Sequence, residues 1–213
     1  MLSLGVGGRY KIQHPETLQE AYGVHIKGGS AYHRFRSRTS PDVLLPEDLA
    51  PTIALSGRAS YKAFVSLDLG TPIRIDLPQV PLERASLRVV TNVAETISEL
   101  CSLTGFGVSL ASKTLHAKRP ALIPVMDRRA FFGAYLHPAW APGEEPYWAS
   151  PLEDVVSIEQ ALLAVRDDLQ RAENGTSWLR LKRPGESRVV AFDKVWWMFA
   201  WPSQRRVVGL DAP

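Results

Sequence analysis

The stretch Leu103-Thr104-Gly105-Phe106-Gly107-Val108-Ser109-Leu110-Ala111, with Leu115 four residues on, constrains this chain more than any other. Two glycines one residue apart permit a turn too tight for residues bearing a Cβ. Before the turn, Val90, Val93, Ile97 and Leu100 recur at helical spacing, which predicts a lead-in helix from about Leu82. A second helix is expected directly after Gly107. Its first turn, Val108 to Leu110, would present unpaired backbone N–H groups at the positive end of the helix dipole. Such an end can hold a phosphate without any side chain. Ala111 falls where two crossing helices must approach closely, and Leu115 continues the same face.

The resulting pattern, L-x-G-h-G-x-x-x-A-x-x-x-L with h apolar, resembles the helix-hairpin-helix DNA-binding element. Beyond the second helix, Leu122-Ile123-Pro124-Val125-Met126-Asp127 is an extended apolar approach to an aspartate expected to open another helix. In the glycosylase branch of the superfamily (helix-hairpin-helix, Gly/Pro-rich loop, Asp) the catalytic aspartate follows the hairpin at this distance, and Asp127 matches it. The resemblance implies an all-α, two-lobed helical DNA glycosylase-like fold in a single globular unit, residues 1–213. Residues 82–138 would hold the hairpin and the catalytic aspartate, with 1–81 and 139–213 packing as a helical lobe. Bifunctional relatives place a nucleophilic lysine two residues after the second hairpin glycine, where this chain has Ser109. The resemblance therefore implies a monofunctional enzyme that leaves an abasic site, with Lys113, one turn beyond Ser109, as the other candidate for the site. The run ASKTLHAKRPALIPVMD also resembles a bacterial family of unassigned function, which supplies no substrate. The hairpin alone fits a noncatalytic DNA-binding module equally well.

Breaking an N-glycosidic bond gives the sugar oxocarbenium character, so a fixed carboxylate near C1′ stabilises the transition state more than the ground state. Asp127 is suited to that, although an aspartate at this place also caps its helix. Ser109 would act mainly through its backbone N–H. A base must leave the duplex to reach such a site and stack between aromatic or apolar walls; Tyr135 and Trp140 are candidates. DNA contacts are expected from Gly105, Phe106, Gly107, Val108 and Ser109 at the hairpin and from Lys118, Arg119, Arg128 and Arg129 by charge.

The net charge of +3 is too small to imply a nucleic-acid partner, but residues 109–129 carry a local +4 that coincides with the hairpin. Lys27, Arg34, Arg36 and Arg38, interleaved with Tyr32 and Phe35, suit stacking on bases and gripping phosphates as well as they suit a surface turn. A single cysteine, Cys101, excludes an internal disulfide and the four-cysteine iron–sulfur cluster of many relatives. The five histidines show no metal-ligand spacing, so no cofactor is expected beyond a monovalent cation at the hairpin. Without a long apolar span or a secretion-signal order of charges, the expectation is a cytoplasmic monomer that acts on duplex DNA and uses no membrane.

Elsewhere, the Gly-rich residues 1–13 read as a flexible terminus, and Pro15 with Gly23 frames a short helix. PEDLAPTIALS should be kinked at Pro51, Ser60 to Leu67 forms another short helix, and LPQVP reads as a connector. Ser157 to Gln160 suggests a capping box for a helix over 157–172, ended by Asn174-Gly175. VVAFDKVWWMFAW is apolar nearly all round, hence largely buried, and Pro202 stops it.

Overall fold

Helices dominate the computed structural model, which describes residues 1–26, 32, 40–53, 59–68, 72–181 and 183–209. Helix α1 (Pro15–His25) starts at a proline, whose missing N–H would have no intrahelical partner there, and runs through Gly23 instead of ending at it. After short helical turns over 46–53 comes α2 (Tyr61–Asp68). The lead-in helix α3 (Leu87–Cys101) is capped by Ser86, whose side chain accepts the Val89 N–H. It begins later than expected because Leu82 belongs to a separate 3-10 turn closed off before the cap. The hairpin leads into α4 (Val108–Lys118), then a π-helical turn (Phe131–Tyr135), α5 (Val155–Gln170), α6 (Gly175–Leu181), α7 (Arg188–Ala200) and α8 (Pro202–Val207).

The apolar stripes decide the packing. Val90, Val93, Ile97 and Leu100 of α3 and Ile158, Leu162, Val165 and Leu169 of α5 are all buried, and these two helices lie against each other. α4 packs on the other part of α3, while α1 packs on α6 and α7. Of the C-terminal segment, α5 thus packs with the hairpin's lead-in helix, and α6 and α7 pack with α1. One continuous hydrophobic core runs through the whole arrangement. Among the described residues no helix is long and apolar enough to cross a membrane.

The N-terminus is corrected from a flexible tail to a buried β-hairpin. β1 (Leu2–Leu4) pairs antiparallel with β2 (Tyr10–Ile12), and Leu2 and Leu4 are fully buried. The Asn174 side chain accepts from Ser3 N at 2.7 Å and donates to Ser3 O at 2.7 Å, and Asp168 Oδ2 accepts from Gly5 N at 2.6 Å. A second small pair joins β3 (Val43–Leu44) to β4 (Ile73–Arg74). The cap of α5 is Asp154, which accepts the Ser157 N–H at 2.9 Å, so that helix starts two residues before the expected capping box. Asn174 closes a 3-10 turn, after which α6 begins at once.

Candidate functional site

The hairpin forms where the glycine spacing placed it. Gly105 has φ +90°, a conformation L side chains rarely adopt, and a Cβ there would lie 2.6 Å from Ala63 N and 2.7 Å from Ser60 Oγ. The start of α2 therefore backs directly onto the turn, and Ser66 Oγ donates to Thr104 O at 2.9 Å. Gly107 is extended and begins α4. The amide at the first position of α4 is engaged within the chain: Val108 N–H donates to Glu153 Oε1 at 3.2 Å. A carboxylate thus occupies the place expected for a phosphate, and Ser98 Oγ holds its backbone by donating to Glu153 O at 2.8 Å. Phe106 and Val108 are buried, Ser109 and Gly107 half-buried, and Thr104 and Gly105 exposed.

Asp127 ends the apolar approach as expected. Its Oδ1 accepts the N–H groups of Arg129 at 2.8 Å and Ala130 at 2.7 Å, which fixes the carboxylate over the start of the next turn. That turn is π-helical, with Phe132 N donating to Asp127 O and Tyr135 N to Ala130 O. Gly133 lies inside it because the backbone of Tyr147 crosses there: an added Cβ would stand 1.8 Å from Tyr147 O.

Asp127 lines a narrow pocket with Lys113 of α4, Val125 and Ala130 of the connecting segment, Tyr22 of α1, and Asp193, Trp196 and Trp197 of α7. About 30 Å³ is open within it, room for a water and far less than a nucleobase needs. Asp193 accepts the Val125 N–H at 3.2 and 3.3 Å, one bond to each oxygen, and its Oδ2 lies 3.4 Å from His116 Nδ1. His116 Nδ1 also lies 2.6 Å from Ile123 O, so Nδ1 carries the hydrogen, since a carbonyl only accepts. Tyr32 stacks on the His116 ring, and its hydroxyl donates to Lys113 O.

Burial governs the protonation states in this cluster. It raises the Asp127 pKa, against the Lys113 charge and the amides of Arg129, Ala130 and Phe131. It pushes Asp193 well above the usual carboxylate range; the Val125 amide opposes this, and the charge of Asp127 adds to it. The Lys113 pKa is lowered by burial and partly restored by Asp127. His116 is lowered to about 4 by burial, hence neutral at pH 7. Burial also raises the Tyr22 phenol, helped by the Asp193 charge.

Several expected site residues stand elsewhere. Lys118 and Arg119 are withdrawn from any DNA surface: Lys118 Nζ is 2.8 Å from Asp48 Oδ2 in a pair almost wholly buried, and it donates to Ser40 O. Arg119 is buried, donating to Leu77 O at 2.7 Å, Pro41 O at 2.8 Å and Asp42 Oδ1 at 2.6 Å. Both are staples between the end of α4 and the N-terminal segment, because a buried cation must find acceptors. Arg129 is committed to Glu145 Oε2 at 3.2 Å and to the face of Trp201, with its guanidinium 4.6 Å from the ring centroid. Arg128 is exposed. Tyr135 and Trp140 are core residues rather than pocket walls. The Tyr135 hydroxyl donates to Ala164 O and Asp168 Oδ2, and the Trp140 indole donates to Glu144 O while its ring packs on Tyr10, Trp196 and Phe199. Ser109 does not line the pocket. The basic cluster at Lys27, Arg34, Arg36 and Arg38 lies outside the described residues.

Asp193, Tyr22 and Trp197 were not singled out from sequence. Asp193-Lys194 is the one charged pair in the otherwise apolar run VVAFDKVWWMFAW, and a buried charge without a local partner marks a position that needs an explanation. Lys194 has one in Glu186, 2.5 Å away, which leaves Asp193 to the pocket. The family of unknown function DUF6308 matches residues 16–198. No curated protein matches the chain, and no solved structure does.

Proposed function

The chain belongs to the DUF6308 family, and from that premise we propose that it is a monofunctional DNA glycosylase that takes a damaged or modified base out of duplex DNA and hydrolyses its N-glycosidic bond. The observation that carries this reading is Asp127, a carboxylate held by two backbone amides beside the Lys113 amine, in an apolar-walled pocket, at the glycosylase spacing from a glycine hairpin. Asp127 faces the developing sugar cation, and the space within the pocket fits the attacking water. On this reading the pocket, lined from α1, α4 and α7, is the cleft that receives the base. The base enters only if the pocket widens, so DNA binding must part these helices.

On the same reading the exposed Thr104-Gly105 turn and Arg128 contact the DNA backbone, and the Val108 amide takes a phosphate when Glu153 leaves it. A monovalent cation would be held there by the Leu103 and Thr104 carbonyl oxygens, each of which keeps a second lone pair beside its bond from Phe106 N or Ser66 Oγ. A noncatalytic DNA-binding protein is the second reading, and the narrowness of the pocket favours it.

Labelled duplexes carrying different lesions and modifications, treated with alkali to reveal abasic sites, test the reading directly. Two unit charges about 4 Å apart at an effective dielectric near 20 attract by roughly 4 kcal/mol, or about three decades in rate. Asp127→Asn is therefore expected to lose about three decades in excision while keeping salt-dependent DNA binding. Equal rates in the two proteins would leave the noncatalytic module as the better account. Borohydride is expected to trap no covalent complex; one that forms and is lost in Lys113→Ala would make Lys113 a nucleophile and the enzyme bifunctional.

A further inference from the structure

The pocket holds two carboxylates where the proposed hydrolysis has so far used one. We infer that Asp127 and Asp193 act as an acid–base pair in which Asp193 carries the proton and delivers it to the departing base while Asp127 remains the carboxylate that faces the sugar. The inference rests on the glycosylase reading for its substrate, but the pairing itself rests on the geometry. Both side chains line one apolar pocket, Asp127 from the segment after α4 and Asp193 from α7, and Asp193 is bonded to Val125, two residues before Asp127.

Their partners separate the roles. Asp127 accepts two amide N–H groups at 2.7–2.8 Å and shares the pocket with the Lys113 amine, all of which favour its charged form. Among the described residues Asp193 accepts one amide, Val125 N–H, spread over both oxygens; His116 Nδ1, 3.4 Å away, gives its hydrogen to Ile123 O. Among the described groups facing Asp193, Tyr22 and Tyr32 are neutral phenols, and Lys194, whose charge opposes the rise, is paired with Glu186. Of two acids in one pocket, the one with fewer donors keeps a proton more readily. Burial and the Asp127 charge raise the Asp193 carboxyl in the same direction.

The step balances. The Asp193 proton passes to a ring nitrogen of the base as the C1′–N bond breaks and its electron pair leaves with the base. Water adds to C1′ and gives its proton to Asp127, from which the proton returns to Asp193. Bases that gain most are neutral purines, which leave poorly unless protonated; a base already cationic gains little.

Two measurements test this. Carboxyl 13C NMR titration of the wild-type protein, with Asp127→Asn and Asp193→Asn for assignment, is expected to show Asp193 still protonated at pH 7 and to show its titration moving down in Asp127→Asn. An Asp193 that titrates near the ordinary value of about 4 overturns the pair. Single-turnover excision is then compared on duplexes containing hypoxanthine, a neutral purine, and 7-methylguanine, already cationic. Asp193→Asn is expected to lose about 100-fold or more on hypoxanthine and less than about fivefold on 7-methylguanine. Equal losses on both overturn the proton-donor role. If wild type excises neither base, the proton-donor role on purines is overturned, the glycosylase reading is decided by the wider lesion screen, and the titration alone still decides the pairing.

Discussion

Helix α4 carries buried positive charge at two stations, and they are built differently. At its C-terminal end, Lys118 meets Asp48 and Ser40 O, and Arg119 meets Asp42 and three backbone carbonyls. Each cation there is matched by its own acid and by fixed acceptors. Earlier on the same helix, Lys113 shares a pocket with two acids, Asp127 and Asp193, beside Tyr22 and two tryptophans. The first station cancels its charge and fastens the helix to the N-terminal segment. Among the described residues the second sets two acids against one amine around open space, which favours a proton held on one acid. Buried charge alone is therefore a poor guide to function; a mismatch of charge around a cavity is the better one.

Three experiments would break or sharpen this contrast. Removing the Lys118 amine takes the cation from a buried Asp48, so Lys118→Met is expected to cost about 3–5 kcal/mol in urea unfolding. Lys113→Met should cost less than half as much, and equal costs would erase the distinction between the stations.

Next in size is the pH dependence carried by His116, held neutral between them. Its folded pKa of about 4 lies below the ordinary 6.5, so its contribution is fully present above pH 6.5 and is lost as pH falls through 4. That difference corresponds to about 3 kcal/mol. Asp168, raised to about 6 by burial, works oppositely: its contribution is full below the ordinary carboxylate value and is lost as pH rises through 6. Only the difference in stability between wild type and His116→Gln isolates the histidine. A difference that stays constant from pH 7 to 4 would show that the ring is not held neutral.

The smallest effect separates the two hairpin glycines. Gly105→Ala is expected to cost about 1–2 kcal/mol or more, because its φ is positive and a Cβ would meet backbone. Gly107→Ala should cost less than about 1 kcal/mol, since its backbone is extended and the Cβ would meet only the end of Glu153, at 3.0 Å. Thermal unfolding of the two variants side by side reads the difference.

What sequence disclosed was local. The hairpin, the apolar stripe of α3, and Asp127 at the head of a new turn all come from patterns within a few residues of one another. What it hid was long-range or short. Lys118 and Arg119 looked like a DNA-facing patch because Asp48 and Asp42, their partners, lie some seventy positions earlier in the chain. Tyr135 and Trp140 lay near enough to Asp127 to suggest a pocket, but their polar atoms are drawn away from it, to Asp168 in the core and to the Glu144 carbonyl. β1 and β2 have three residues each, too few for alternation to stand out against a glycine-rich background.

The carboxylate at the head of α4 has one more consequence. Glu153 is tied to the same molecule as the amide it occupies, so a visiting anion meets a resident competitor whose effective concentration is set by a tether and does not fall on dilution. For a short flexible connection such concentrations are on the order of millimolar. A lone phosphate ion at lower concentration leaves the resident in place. A polyanion that gains several contacts at once can displace it, so the hairpin would respond to multivalency before it responds to charge.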